Sequence, residues 1–325
     1  MTPLALDRPL RHALPHPQVS GPMAVVPIVG PDRPGYAGPR TGLRLGDVRT
    51  YGTLEVHNRA DGLAIVPLHI GWIQKGAQNH ALCRSTFVGP GASVVVEDAC
   101  CVQAGQGGYL EEADQWFFVL PAGLRETALG LRGTKSFGKL WGAISAFNAR
   151  FGEKSRGHLE DLIGKGRAKL TRYRSRFELV PGQTGALFFL NGRLVGVEIA
   201  PSAGYFAEVW PALVCFAYGT EAHGLETVPG RTSPLPAALP PGDPDVVETA
   251  LARVREARRD ALLDAARIFR PDGFSVATED RYGDHELLTA TGEAFVGQVV
   301  RRDDGEVVYA SLSARADHLR EALAA

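Results

Sequence analysis

Seven residues able to do chemistry crowd two short stretches. KGAQNHALC (75–83) holds Gln78, Asn79, His80 and Cys83, and EDACCVQAG (97–105) holds Cys100, Cys101 and Gln103. Three chemistries fit the set. His80 and Cys83, three apart, with Cys100 and Cys101 beyond, have the residue types of a zinc site. A cysteine could act as a nucleophile, with His80 as its acid or base, if its thiolate were stabilised. The amides of Gln78, Asn79 and Gln103 donate and accept, so they could read a ligand without transferring a proton. Spacing weighs against the metal: Cys100 and Cys101 are neighbours in a strand-like run, where successive side chains point to opposite faces. No metal is expected. Glu97 and Asp98 precede the cysteines, and like charge raises a thiol pKa. Cys101 therefore stays a candidate nucleophile only through a tertiary neighbour such as His80. For Gln78 and Asn79 there is also a local alternative, closing the turn after Gly76 by side-chain to backbone bonds.

Elsewhere the motifs are thinner. HELL (285–288) has the start of a zincin helix, but Thr289 stands where the second histidine belongs. No phosphate-binding loop, dinucleotide fingerprint or nucleophile elbow is present, and no cofactor is indicated. The run GKGRAKLTRYRSRF (164–177) places Arg172 and Arg174 in a series of alternating cations beside Tyr173 and Phe177. On a strand this would form a cationic, aromatic face suited to phosphate. The competing reading is a solvated face answered by Glu160, Asp161 and Glu178. Lys plus Arg (35) nearly balance Asp plus Glu (36), so no overall field favours nucleic acid.

These residues need elements to position them. Residues 1–45 are rich in Pro and Gly, which predicts an irregular arm. From Thr50 onward TLEVHN, LAIVPLHIGWI, STFVG, SVVVED and QWFFVLP read as strands, with Gln78, Asn79 and Cys101 on neighbouring strands joined through a turn at 89–91. TKSFGKLWGAISAFNARFG (134–152) reads as a helix capped by Thr134 or Ser136. Asn191-Gly192 between two apolar runs is a type I′ hairpin signal, and a further helix starts at Ser202 with Pro211 inside it. Residues 226–244 form a Pro-rich linker and 245–269 a helix. The chain closes with strands, two of them joined at Asp304-Gly305, and a helix over 314–325. Mixed order without βαβ alternation predicts an α+β fold with largely antiparallel pairing, in one domain spanning 46–313. Four cysteines are too few for a disulfide scaffold, and no apolar run is long enough to span a bilayer. A cytoplasmic protein without membrane contacts is expected.

Laid in order, KGAQNHALC, CCVQAG, GRLVGVEIA with AEVWPAL, and EAFVGQVV with VVYASL resemble the ADP-ribosylglycohydrolase- and rhodanese-phosphatase-associated domain, a prokaryotic family, over about residues 46 to 313. The resemblance implies a site near Gln78, Asn79, Cys101 and Val102, which match its pattern. His80 stands in an Arg place, Ala77 in a Lys place, Gln103 in a Glu place, and Gly71-Trp72 replaces Gly-Glu. Gly105-Gln106-Gly107 replaces Gly-Arg-Trp. Carboxylates and guanidiniums of the pattern are thus missing. The family name implies a link to ADP-ribose metabolism. The expected function is a small-molecule or nucleotide-derivative binding protein; an enzyme acting on such a compound through His80 and Cys101, or a protein-interaction module, are the alternatives.

Overall fold

Asn191 and Gly192 take φ of 47° and 76°, the left-handed values of a type I′ turn. The hairpin they make is the middle of the molecule's largest sheet. In the computed structural model the described residues are 6, 14–46, 52–73, 79–104, 116–154, 157–227 and 244–325. In chain order the first strands are β1 (Gln18–Ser20), β2 (Met23–Val29), β3 (Leu43–Leu45), β4 (Leu54–Asn58), β5 (Ala64–Val66) and β6 (Ile70–Ile73). Then come β7 (His80–Leu82), β8 (Thr86–Val88), β9 (Ser93–Val96), β10 (Ala99–Cys101), β11 (Trp116–Val119), β12 (Gln183–Leu190) and β13 (Arg193–Ile199). The last are β14 (Ser275–Tyr282), β15 (His285–Thr291), β16 (Phe295–Arg302) and β17 (Val307–Ala314).

An eight-stranded antiparallel sheet runs β1-β2-β12-β13-β17-β16-β15-β14, so strands from both sides of residues 228–243 meet where β13 pairs with β17. A four-stranded sheet runs β10-β7-β6-β11; a three-stranded one (β3-β4-β9) and the pair β5-β8 complete the β structure among the described residues. With the helices this is an α+β fold. The helices are α1 (Ala122–Gly130), α2 (Trp141–Ala149), α3 (Leu159–Ile163), α4 (Arg167–Leu170), α5 (Tyr173–Arg176), α6 (Ala203–Ala212), α7 (Gly219–Glu226), α8 (Pro244–Ala265) and α9 (Ala316–Ala324). Ser202 caps α6 by accepting from the Tyr205 N–H at 3.1 Å. Pro211 lacks the N–H that would continue the ladder, and the next turn, Leu213–Ala217, widens into a π-helix. No helix among the described residues is long and apolar enough to cross a membrane.

Four expectations are corrected. Residues 1–45 are not all irregular: β2 is buried almost throughout and pairs with β12 from Met23↔Leu190 to Val29↔Gln183. Pro27 is tolerated because β1 flanks only Met23 to Val25, leaving an edge where a missing donor costs little. The helix over 134–152 begins at Trp141, with Leu140 rather than Thr134 or Ser136 at its N-cap. The turn at 89–91 does not join β7 to β10. It joins β8 to β9, which pair outward with β5 and β4, while β7 and β10 pair with each other. The basic run lies on the short helices α4 and α5, because Leu170, Tyr173 and Phe177 bury at helical spacing. Residues 228–243, most of the linker, fall outside the described residues.

Candidate functional site

Cross-strand register builds the site. Phe117 pairs with Trp72, Trp72 with His80, and His80 with Cys101, so β11, β6, β7 and β10 set four side chains in one row on one face. Trp72, His80 and Cys101 are buried. Asn79, just before β7, and Gln103, two residues past β10, are also buried and flank the row.

Val102 fixes what lies next to it. Its N–H donates to the Asn79 carbonyl at 2.9 Å, and its own carbonyl accepts from the Leu159 N–H at 2.9 Å. That second bond docks the start of α3 against the strand end. Asn148 Nδ2 holds the same segment through the His158 carbonyl at 2.7 Å. Gly157 sits at φ +66°, and a Cβ there would lie 2.8 Å from that of Ala104, so a side chain would push α3 away. The result is that the Glu160 carboxylate reaches Asn79: Nδ2 donates to Oε2 at 2.8 Å. Burial, only partly offset by this bond, pushes the Glu160 carboxyl above the usual range. Glu160 stays half-buried, so solvent reaches a carboxylate that an amide already orients.

The structure therefore brings Asn79, His80, Cys101 and Gln103 together and adds Glu160, which the sequence presented only as a counter-charge to the basic run. Gln78 lies outside the described residues. Arg172 and Arg174 do not join the row. They are exposed, and Arg172 acts with Lys169 and Arg176 on His223, whose pKa is held down first by its own burial. Cys101 Sγ donates to the Gln103 carbonyl at 2.9 Å, and burial pushes this thiol up, which is poor preparation for a nucleophile. Among these cysteines the thiol drawn down is Cys83: it accepts from Cys100 on the neighbouring strand, with the Lys139 ammonium beside it. Lys139 is in turn held by Asp98 at 2.7 Å. Among the described residues no group of three or more His, Cys, Asp or Glu could hold a metal ion.

A second polar centre lies in the large sheet, and sequence reasoning missed it. Arg125 Nη1 donates to Glu198 Oε1 at 2.7 Å and to the Tyr218 hydroxyl at 3.1 Å, while Nη2 donates to Ser311 Oγ. Tyr218 also donates to Glu198 Oε1 at 2.6 Å. Burial opposes the Arg125 charge, but Glu198 and Tyr218 more than offset it and hold the guanidinium pKa above its ordinary value. Arg125, Glu198, Tyr205, Tyr309 and Ser311 line a cavity on the scale of about one or two water molecules, too small for a nucleotide. The available signal was Glu198 itself, a single carboxylate inside the apolar run GRLVGVEIA, where a buried charge must find a partner.

The chain matches the ARG and Rhodanese-Phosphatase-superfamily-associated Protein domain over residues 11–313. It belongs to that family. The match takes in β1 and β2, so the family's domain begins earlier than the resemblance read from residue 46, and it spans both the row on β6, β7 and β10 and the Arg125 centre. Comparison with curated proteins and with solved structures gives no match. The family's name associates it with ADP-ribosylglycohydrolase, which ties it loosely to ADP-ribose. Within this member, the described positions that carried the resemblance near Gln78 and Cys101 converge: Gly71-Trp72 lie on β6, Asn79-His80 at the start of β7 and Cys101-Val102-Gln103 at the end of β10, three adjacent strands.

Proposed function

We propose that this protein binds a small nucleotide derivative of the ADP-ribose class, reading its sugar hydroxyls with Asn79 and Glu160 beside the Trp72–His80–Cys101 row. The observation that carries the reading is the Asn79 Nδ2 to Glu160 Oε2 bond at 2.8 Å, on a carboxylate that remains half-buried. A carboxylate accepts from neighbouring hydroxyls, and the amide beside it both donates and accepts. This pairing suits a diol better than a phosphate, which a carboxylate repels. The Arg172 and Arg174 face is not needed for it, and neither nucleic acid nor membrane is a partner in this reading.

Thermal shift against ADP-ribose, NAD, AMP and ribose 5-phosphate tests it. A ligand at 100 times its Kd adds about 2.7 kcal/mol to native stability. The shift is expected with compounds that carry a free ribose diol and is expected to vanish in Asn79→Ala and Glu160→Gln. Absence of a shift with every compound, or a full shift in both variants, sinks the reading. A second reading has one observation in its favour: the half-buried Glu160 carboxyl, pushed above its usual range by burial, stands beside the row, where it could pass a proton to a leaving group as in glycoside cleavage. Release of ADP-ribose from an ADP-ribosylated substrate, lost in Glu160→Gln, would select it.

A further inference from the structure

Outside the row, three segments of the chain assemble a hydrogen-bonded relay. The Tyr36 hydroxyl lies 2.7 Å from His285 Nε2. His285 Nδ1 lies 2.8 Å from Asp284 Oδ1, and Asp284 Oδ2 accepts from Arg302 Nε at 2.9 Å. The carboxylate fixes the imidazole tautomer: Nδ1 carries the proton and donates to Asp284, so Nε2 is the acceptor and Tyr36 the donor. Order, spacing and direction are those of a nucleophile, a base and the group that orients the base.

Each member is held in place. Tyr36 forms an isolated parallel bridge with Leu63, whose carbonyl accepts from Ala37 and whose N–H donates to Gly35. His285 opens β15 opposite Arg302 of β16, and the Asp284 carbonyl accepts from the Asp303 N–H. Tyr36 is half-buried and the adjoining Pro34 and Gly35 are exposed, so the relay starts at the surface of the molecule. The rings of Phe87 and Tyr282 lie 6.2 Å apart, and Phe87 is 6.3 Å from His285, which gives one apolar wall.

The surrounding charges choose the substrate. Arg33 is spent on Glu306 at 2.6 Å and Arg302 on Asp284, with Asp304 and Glu306 each 3.9 Å from Arg302. Three carboxylates against two guanidiniums disfavour a phosphate or other anion.

We propose that Tyr36, His285 and Asp284 form a second site that cleaves uncharged carboxylic esters, with Tyr36 as the nucleophile, His285 as the base and Asp284 as the positioning residue. Tyr36 Oη bonds to the carbonyl carbon as its proton passes to His285 Nε2. The bond from that carbon to the leaving alcohol oxygen breaks, and the oxygen takes the proton from Nε2. Water, deprotonated by the same nitrogen, then cleaves the acyl-tyrosine, giving the acid and restoring the phenol. Burial pushes the Tyr36 hydroxyl up while Arg302 and Arg33 pull it down, so the phenol keeps its proton until the bond forms. That is why a base is required.

The test uses the full chain and p-nitrophenyl acetate, following p-nitrophenol release and locating the acetyl group by peptide mass. Release above buffer, with acetyl on Tyr36, is expected. Tyr36→Phe should abolish both, and His285→Gln should slow release about 100-fold, while the Tyr36→Phe melting temperature stays near that of the wild type. Should His285→Gln fail to fold, Asp284→Asn replaces it, with slower release at unchanged melting temperature expected. No release from the wild type, acetyl only on other residues, or undiminished release from Tyr36→Phe overturns the proposal. None of these outcomes bears on Asn79 or Glu160.

Discussion

The large sheet and the four-stranded sheet each enclose polar side chains, and they treat them in opposite ways. Around Arg125 a full charge is 1% exposed and answered by Glu198, Tyr218 and Ser311, which come from three separate elements. Around Asn79 a neutral amide holds one oxygen of a carboxylate that is still half open to water. Nη1 and Nη2 of that guanidinium are taken, and the space beside it admits about one or two waters. It works as a clamp between α1, β13 and β17. In the Asn79–Glu160 pair the carboxylate side stays half-buried, within reach of solvent. Interior polarity alone therefore does not mark a site; access from solvent does.

The contrast can be broken most forcefully at Glu198. Glu198→Ala strands the Arg125 charge and should cost about 3–5 kcal/mol in urea unfolding. Arg125→Met combined with Glu198→Leu should cost less than that single change, because no buried charge is left unpaired. A loss below about 1 kcal/mol for Glu198→Ala would mean the cage is not a clamp.

Asn79→Ala should be milder, about 0.5–1.5 kcal/mol in the unliganded protein, because it removes a neutral amide, with its bond to Glu160, while the Val102 to Asn79 backbone bond persists. Its ligand response should vanish all the same. A larger loss without any ligand effect would make the two regions alike.

Glu160 gives a smaller effect with a definite sign. Its folded pKa is raised, so between the ordinary value of 4.5 and the raised one the native state holds more protons than the unfolded state. Stability from this group is complete below 4.5 and falls as pH rises through the raised value. Glu160→Gln should remove that downward slope from a pH series of unfolding curves; a slope unchanged in the variant would place its origin elsewhere. The smallest effect belongs to the exposed cations: Arg172→Ala and Arg174→Ala should each stay within about 0.5 kcal/mol of the wild type and leave any ligand shift intact.

What the sequence disclosed followed from short-range rules. The Asn191-Gly192 turn, the helix start at Ser202 and the Asp304-Gly305 turn each depend on residues within a few positions, and each stands in the structure, with Ser202 as the N-cap. The misreadings came where local composition and long-range pairing disagree. MAVVPIV was lost among prolines, although Val25, Val26 and Ile28 are strand formers and β12 supplies their partner 160 residues later. Alternating arginines suggested a strand at 172–176, but the three buried side chains at helical spacing decided for helices. The candidate site was half legible. Asn79, His80, Cys101 and Gln103 were flagged by type and do converge, whereas Glu160 could not be: it lies 81 residues from Asn79, and its arrival depends on one carbonyl of Val102 accepting from Leu159.

The pairing of β13 with β17 also bears on how the chain is made. Synthesis delivers β13 more than a hundred residues before its neighbour β17. For all that time β13 is an unsatisfied apolar edge, the kind of surface that recruits other strands. Arg125 likewise waits for Ser311. The large sheet can therefore close only once β17 has been made, and a chain truncated before Val307 would keep that edge open, making insolubility its expected fate.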